Sequence, residues 1–265
     1  MHAPIRSAAL AVLTAAVLCS GCAAPGDPAG PAPEQTAPEG ATAQAAASTT
    51  PDAPVVLLDP GHNGGNGAAP DAIGRPVPDG RGGTKPCNTT GTATDAGYPE
   101  HAFTWDLAQR VRERLESAGV RVVLTRDDDE GVGPCVDERG AAGGRAGAAA
   151  AVSLHADGSG ASARGFHVAY ADPPVHGTGP GSLRLATALR DGLSSGRFAP
   201  ADYIGDAGLD GRDDLAGLNL STVPTALVET GNMRNAADAA VLSSAEGRSR
   251  YAAAISSGVL AYLGR

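Results

Sequence analysis

The chain alternates between short apolar runs and segments in which apolar residues recur every three or four positions. The first clear run covers residues 55–59 and is bounded by Pro60 and Gly61, so it predicts a buried strand. The clearest amphipathic segment begins near Glu100 and continues to Ser117, with apolar residues four apart on one face. Gly119 then provides the stop signal for this predicted helix.

Further strands and helices are predicted in alternation. The predicted strands cover residues 120–125, 152–155, 165–170 and 225–229. The predicted helices cover residues 137–150, 183–193, 236–242 and 250–263. Residues 63–97 are rich in Gly, Pro and Thr and are predicted to form a long loop. This alternation indicates an α/β fold: a single domain with a mostly parallel twisted sheet and helices on both faces.

The start of the chain predicts export. Residues 1–18 contain one charged residue, Arg6, followed by an apolar run that is too short to span a membrane. The run ends in Leu18-Cys19-Ser20-Gly21-Cys22, which resembles a bacterial lipobox, so residues 1–22 are predicted to be a signal peptide of the lipoprotein type. Cys22 is then the lipidated residue, and the protein is anchored in the cell envelope or periplasm. Ordinary cleavage near residues 23 and 24 is the alternative.

Composition separates a tether from a folded domain. Residues 23–53 are rich in Ala and Pro and lack aromatic residues, so they are predicted to be a disordered linker. Residues 1–53 hold one basic and four acidic side chains, which leaves residues 54–265 with a net charge of −6. Such a domain lacks the cationic face of a nucleic-acid binder. We expect a monomer whose contact with the membrane is limited to the lipid anchor.

Two cysteines lie within the predicted domain. Cys87 and Cys135 form an even pair, which in an exported protein predicts a disulfide. Two unpaired thiols are the simplest alternative. A metal site is disfavoured because no His or Cys stands at ligand spacing beside either cysteine.

Four polar residues follow predicted strands or open a predicted helix: His62, Glu100, His155 and Glu229. The carboxyl ends of parallel strands gather along one edge of a sheet, where ligands bind. Two imidazoles and a carboxylate that meet there would form a catalytic zinc site with an open position. A second carboxylate would act on water at that position, which is the chemistry of a hydrolase.

Three of these residues also have a simpler explanation. His62 is interpretable as an ordinary loop histidine, Glu100 as a response to the helix dipole, and Glu229 as half of a salt bridge. His101 competes with Glu100 for a metal but points about 100° away around the helix. The remaining histidines of the domain, His167 and His176, are predicted to be structural or exposed.

The motifs around these residues occur together in one family. They are Leu58-Asp59-Pro60-Gly61-His62, Pro99-Glu100, Val123-Leu124-Thr125-Arg126, Val152-Ser153-Leu154-His155-Ala156-Asp157 and Leu227-Val228-Glu229-Thr230-Gly231-Asn232. In order and spacing the chain resembles the zinc-dependent N-acetylmuramoyl-L-alanine amidases, which are bacterial cell-wall hydrolases. The resemblance implies that His62, Glu100 and His155 bind Zn²⁺ and that Glu229 is the catalytic acid and base. It also implies that residues 54–265 are the catalytic domain and that peptidoglycan or muropeptides are the substrate.

Two other functions are compatible with such a domain. A non-catalytic zinc- or peptidoglycan-binding lipoprotein would retain the fold, but loss of Glu229 would be its simplest mark, and Glu229 is present. A zinc peptidase would cut within the stem peptide, but the His-Glu-x-x-His helix typical of many zinc peptidases is absent from the sequence.

Overall fold

The structure is a computed structural model that describes residues 53–265. The predicted signal peptide, the predicted lipidation site Cys22 and residues 23–52 of the predicted linker lie outside the described residues. Within residues 53–265, none of the helices combines the length and apolar character needed to cross a membrane.

The described residues form eight strands in two sheets. The strands are β1 (Val55–Pro60), β2 (Pro76–Pro78), β3 (Thr84–Pro86), β4 (Arg121–Leu124), β5 (Ala150–Asp157), β6 (His167–Ala171), β7 (Leu209–Arg212) and β8 (Thr225–Asn232).

Seven α-helices accompany the strands in the same region. They are α1 (Pro70–Gly74), α2 (Glu100–Ser117), α3 (Val136–Arg145), α4 (Gly179–Ser195), α5 (Ala216–Asn219), α6 (Ala236–Ser243) and α7 (Ala245–Tyr262). A short 3₁₀ helix, Gly64–Ala68, follows β1.

Six strands form the central sheet, in the order β4-β1-β5-β8-β6-β7. The neighbours are parallel except for β6 and β8, which are antiparallel. Strands β2 and β3 form a separate antiparallel hairpin. The predicted single α/β domain with a mostly parallel sheet is therefore confirmed.

The two faces of the sheet carry different side chains because successive residues of a strand point to opposite sides. Val56, Leu58, Val152 and Leu154 belong to the main core, which also contains buried residues of α2, α4 and α7. Intervening residues such as Asp59 line the opposite face, beneath α3 and α5. One face therefore provides most of the hydrophobic core, and the other supports polar chemistry at the sheet edge.

Several predicted boundaries require correction. The helix predicted at residues 137–150 ends at Arg145, because Gly147 adopts φ +59° and Ala150 begins β5 between β1 and β8. The long loop predicted at residues 63–97 contains α1 and the β2–β3 hairpin. Strand β7 and the single turn of α5 were not predicted. The helix over Glu100–Ser117 is confirmed with the predicted bounds.

Helices α4 and α7 pack closely enough that their contact depends on a glycine. A Cβ atom at Gly258 would lie 2.7 Å from the carbonyl oxygen of Ala188 and 2.8 Å from Cα of Leu189. Both atoms belong to the backbone of α4, so neither can move aside without shifting that helix.

We predict that Gly258→Ala destabilises the protein, although alanine is intrinsically favoured over glycine in a helix by about 1 kcal/mol. The steric overlap should outweigh this gain and lower the free energy of unfolding by about 1–2 kcal/mol, measured by urea denaturation. Gly217→Ala is the matched control, because a Cβ atom at this helical glycine meets no heavy atom within 4 Å. Equal stability of the two variants would contradict the prediction.

Candidate metal centre and active site

Three neighbouring strands bring the candidate residues to one edge of the sheet. Strand β5 lies between β1 and β8, and its residue His155 is directly paired with Glu229 of β8. His62 lies in the turn that follows β1. Glu100 arrives from a different direction, as the first residue of α2. The structure thus brings together all four of the residues that the sequence singled out.

The Glu100 carboxylate lies between the two imidazoles. Its Oε2 atom is 3.1 Å from Nε2 of His62, and its Oε1 atom is 3.0 Å from Nδ1 of His155. The two imidazole rings meet edge to face with centroids 5.0 Å apart. One ligand atom from each of the three residues lies within 4.8 Å of the others. Two imidazole nitrogens and a carboxylate oxygen are donors that zinc uses in catalytic sites, so the three side chains fit a zinc ion.

Glu100 is buried but remains ionised. Burial alone would raise the pKa of its carboxyl group, but the contacts with His155 and His62 hold that pKa well below its usual range. Backbone amides add to this, because Thr92 N donates to Oε2 and Ala156 N donates to Oε1. The carboxylate is therefore in the deprotonated form that metal binding requires.

His62 is held in an unusual backbone conformation. Its φ of +60° lies in the left-handed region, which is costly for a residue with a side chain. The buried guanidinium of Arg139 donates to the His62 carbonyl at 2.9 Å and to Oδ1 of Asn63 at 2.6 Å. A second buried guanidinium, that of Arg126, donates to the Pro60 carbonyl at 3.0 Å. These hydrogen bonds stabilise the turn that carries His62.

Asp59 balances the charge of one of these guanidiniums. Its Oδ1 atom lies 2.7 Å from Arg139 and also accepts a hydrogen bond from Thr125. Burial opposes ionisation of Asp59, but Arg139 and the hydrogen bonds from Thr125 and Ser153 lower the pKa of this carboxyl to about 2. The charged pair therefore persists beneath the site at neutral pH.

The segment between the hairpin and α2 covers the other side of the site. The carbonyl of Thr89 lies 3.2 Å from Nδ1 of His62 and is placed to accept a hydrogen bond from it, which would leave Nε2 available to a metal ion in place of its contact with Glu100. A disulfide between Cys87 and Cys135 joins this segment to the residue before α3. The disulfide packs against Val77 of the hairpin. The segment is thus tied to the same helix that supplies Arg139.

Glu229 faces the site without belonging to the ligand cluster. Its Oε2 atom is buried and has no hydrogen-bond partner among the described residues. Burial, followed by the negative charges of Glu100 and Asp157, raises the pKa of Glu229 well above its usual value. A carboxyl group with a raised pKa beside a metal site is suited to receive and return a proton.

A cavity of about 270 Å³ adjoins the site on the α3 and α5 side of the sheet. His62 and His155 stand among its lining residues, and Leu57, Leu218 and Leu227 give it a largely apolar wall.

The other histidines take separate positions. His101 is paired with Asp129, with Nδ1 2.7 Å from Oδ2. His176 is exposed, in agreement with its predicted role. His167 is buried and is paired directly with Glu229 across β6 and β8.

Sequence reasoning did not identify Arg126, Arg139 or Asp59 as parts of the site. Arg139 is 80 residues from Asp59, and helix α3 looks like an ordinary Ala-rich helix. Only the fold shows that the Arg139 side chain reaches the β1 turn. The motif around Arg126 offered a weak indication, because an arginine shortly after a strand lies at the same sheet edge as the candidate metal ligands.

The chain resembles known amidases over most of its length. Residues 56–261 match the family model described as N-acetylmuramoyl-L-alanine amidase. The N-acetylmuramoyl-L-alanine amidase Rv3717 of Mycobacterium tuberculosis is 52% identical over 210 residues, which are 79% of this chain and 86% of that protein.

Solved structures show the same similarity. An N-acetylmuramyl-L-alanine amidase from Mycobacterium smegmatis has a TM-score of 0.77 and 51% identity, over 80% of this chain and 97% of that chain. An N-acetylmuramoyl-L-alanine amidase of Nostoc punctiforme has a TM-score of 0.61 and 28% identity, over 80% of this chain and 98% of that chain.

We predict that Gly61→Ala abolishes metal binding. A Cβ atom at Gly61 would collide with the imidazole of His155, so either this candidate ligand or the turn that carries His62 must move. The purified variant should contain less than about a tenth of the wild-type zinc, measured by elemental analysis, because a displaced ligand leaves an incomplete site. Gly74→Ala is the control, since a Cβ atom there meets nothing within 4 Å. Full zinc content in Gly61→Ala would show that the ligand geometry tolerates this displacement.

Proposed function

The chain belongs to the N-acetylmuramoyl-L-alanine amidase family, and we propose that it is a zinc-dependent hydrolase of peptidoglycan. The bond cleaved is the amide between N-acetylmuramic acid and the L-alanine of the stem peptide. In this proposal His62, Glu100 and His155 hold the zinc ion, and Glu229 is the catalytic acid and base.

The observation that carries the proposal is the separation of one carboxylate from the ligand cluster. Glu100 is enclosed by two imidazoles and two backbone amides, whereas Oε2 of Glu229 has no protein partner among the described residues. The first arrangement suits a metal ligand, and the second suits a group that exchanges a proton with substrate and water. The family membership identifies the substrate to which this chemistry applies.

Zinc, when bound, supplies Lewis acidity that acidifies water and polarises an amide carbonyl. Glu229 removes a proton from the attacking water and returns it to the departing amine of L-alanine, so the carboxyl group ends the cycle as it began. Arg139 and Thr89 hold His62 at the position and with the tautomer that metal binding needs. The chain thus contributes both the proton carrier and a preorganised ligand set.

The proposal extends to the whole chain. Residues 1–22 direct export, Cys22 carries the lipid, and residues 23–53 connect the anchor to the catalytic domain at residues 54–265. The enzyme acts as a monomer at the outer face of the membrane or in the periplasm. A lipid anchor and a tether of this kind keep the domain within reach of the cell wall.

We predict that the purified, zinc-loaded protein releases stem peptides that begin with L-alanine from muropeptides, detected by mass spectrometry. Glu229→Gln should keep its zinc and lose at least about a hundredfold in kcat, because the proton carrier is removed. His155→Ala should lose both zinc and activity. Cleavage within the stem peptide would instead identify a peptidase, and zinc binding without any cleavage would identify a binding protein.

We also predict that Cys22→Ala moves the protein from the membrane fraction to the soluble fraction of the cell envelope. Lipid attachment requires the thiol of the residue that becomes the new N-terminus. Cys19→Ala is the matched control, since it lies three residues earlier in the same motif. Fractionation followed by immunoblotting measures the distribution. Wild-type protein in the soluble fraction would instead show that the signal is cleaved conventionally, and a Cys22→Ala variant that is as membrane-bound as wild type would overturn lipid attachment at Cys22.

A further inference from the structure

Glu229 lies between two imidazoles in the sheet. On one side the parallel strand β5 places His155 opposite Glu229, and on the other side the antiparallel strand β6 places His167 opposite it. Directly opposed residues of an antiparallel pair point to the same face, with Cβ atoms about 5 Å apart. The His167 imidazole is therefore a neighbour of the Glu229 carboxyl group on the face that carries the metal site.

His167 is buried, and one of its two ring nitrogens lacks a hydrogen-bond partner among the described residues. Its exposed fraction is 3%, and its Nδ1 atom has no hydrogen-bond partner within residues 53–265. Oε2 of Glu229 is orphaned in the same way. Buried polar atoms almost always have a partner in a folded protein, so two orphaned atoms on opposed residues need an explanation.

The second nitrogen of His167 has a defined environment. Its Nε2 atom is 4.0 Å from Oδ2 of Asp210, whose carboxylate is also 3.3 Å from the guanidinium of Arg212. The nearby carboxylate favours the tautomer that carries the proton on Nε2. Nδ1 is then a lone-pair acceptor on the other side of the ring.

Tyr203 fixes the orientation of this ring. It meets the His167 imidazole edge to face, with centroids 6.2 Å apart, and its hydroxyl donates to Asp157 at 2.7 Å. The ring is thus held on one side by packing and on another by the charge of Asp210. An imidazole with so little freedom presents its acceptor nitrogen in one direction.

We propose that His167 is a positioning residue that orients the Glu229 carboxyl group for proton transfer. The inference rests on the proposed amidase function. Oε2 of Glu229 and Nδ1 of His167 are not hydrogen-bonded to each other in the structure, so the proposal requires the carboxyl group to turn. When Glu229 carries the proton taken from water, its O–H group turns towards His167 and donates a hydrogen bond to Nδ1. This contact holds the carboxyl rotamer until the proton passes to the departing amine, and His167 itself neither gains nor loses a proton.

Three variants separate this role from simple packing. His167→Leu removes both nitrogens, His167→Asn keeps an amide near the Nδ1 position, and His167→Gln keeps an amide near the Nε2 position. We expect His167→Leu and His167→Gln to lower kcat about 30-fold, with KM within about twofold of wild type. His167→Asn should retain kcat within about fivefold, because an acceptor remains next to Glu229.

The control is His176→Asn, because His176 is exposed and takes no part in the site. It should cleave muropeptides at the wild-type rate, and zinc content and thermal unfolding are measured for every variant. The proposal is overturned if His167→Leu keeps wild-type kcat, if His167→Gln restores activity better than His167→Asn, or if the loss of kcat follows a loss of zinc or of folded protein.

A readout without turnover separates this proposal from the proposed function. Nitrogen-15 NMR of the zinc-loaded protein reports which His167 nitrogen is protonated. We expect a proton on Nε2 and a bare Nδ1 whose shift moves in Glu229→Gln. The proposed hydrogen bond between Glu229 and His167 is overturned if the proton is on Nδ1, or if the Nδ1 chemical shift is the same in wild type and Glu229→Gln, even if the enzyme is active. An inactive wild type with the expected shifts would reject the amidase function and retain the pairing.

Discussion

The structure depends on the burial of one negative charge. The Glu100 carboxylate is almost inaccessible to solvent, and a buried charge is tolerated only when it is paired and hydrogen-bonded. Its partners come from separate parts of the chain: the turn after β1, the segment before α2, and strand β5. Each of these segments must reach its place for the charge to be satisfied. The ligand cluster is therefore formed by the fold itself, and a bound metal ion would replace contacts that already hold the residues together.

Two buried arginines donate hydrogen bonds to the backbone turn that carries His62, one of the residues around Glu100. Arg126 and Arg139 both donate to the Pro60 carbonyl, and Arg139 continues to the carbonyl of His62. These bonds offset the cost of the left-handed backbone at His62, which would otherwise relax. Removing either guanidinium would leave carbonyl groups without donors in a buried place, and such groups cost about 1–3 kcal/mol each. The rigidity of the candidate metal centre thus depends on α3 and on the loop after β4 as well as on His62, Glu100 and His155 themselves.

The sequence predicted an element correctly where its local hydrophobic pattern matches the environment that the residues have in the fold. The apolar periodicity of Glu100–Ser117 predicted that helix with its observed bounds, and the strand-end positions of His155 and Glu229 predicted where they meet. Pattern failed where tertiary pairing overrides it, since the Ala-rich run after α3 turns at Gly147 and joins the sheet. His167 was predicted to be structural or exposed, and its pairing with Glu229 was not predicted for a related reason. A single histidine in a strand has no distinctive spacing, and its pairing with Glu229 depends on the antiparallel direction of β6, which no local signal specifies.

The state of Glu229 argues for catalysis over mere binding. A chain that only held zinc or peptidoglycan would gain stability by replacing this residue with an apolar one, because an unsatisfied buried carboxyl group is costly. Its neighbours add to the cost, since Glu100 and Asp157 raise its pKa by repulsion in addition to the effect of burial. The same properties are useful to an enzyme, because a carboxyl group that binds a proton readily also passes it on to an amine in the site. The fold therefore gives up stability at the carboxyl group of Glu229, beside the candidate metal ligands, where Oε2 has no protein hydrogen bond within the described chain. This is the position at which the structure argues most directly for catalysis.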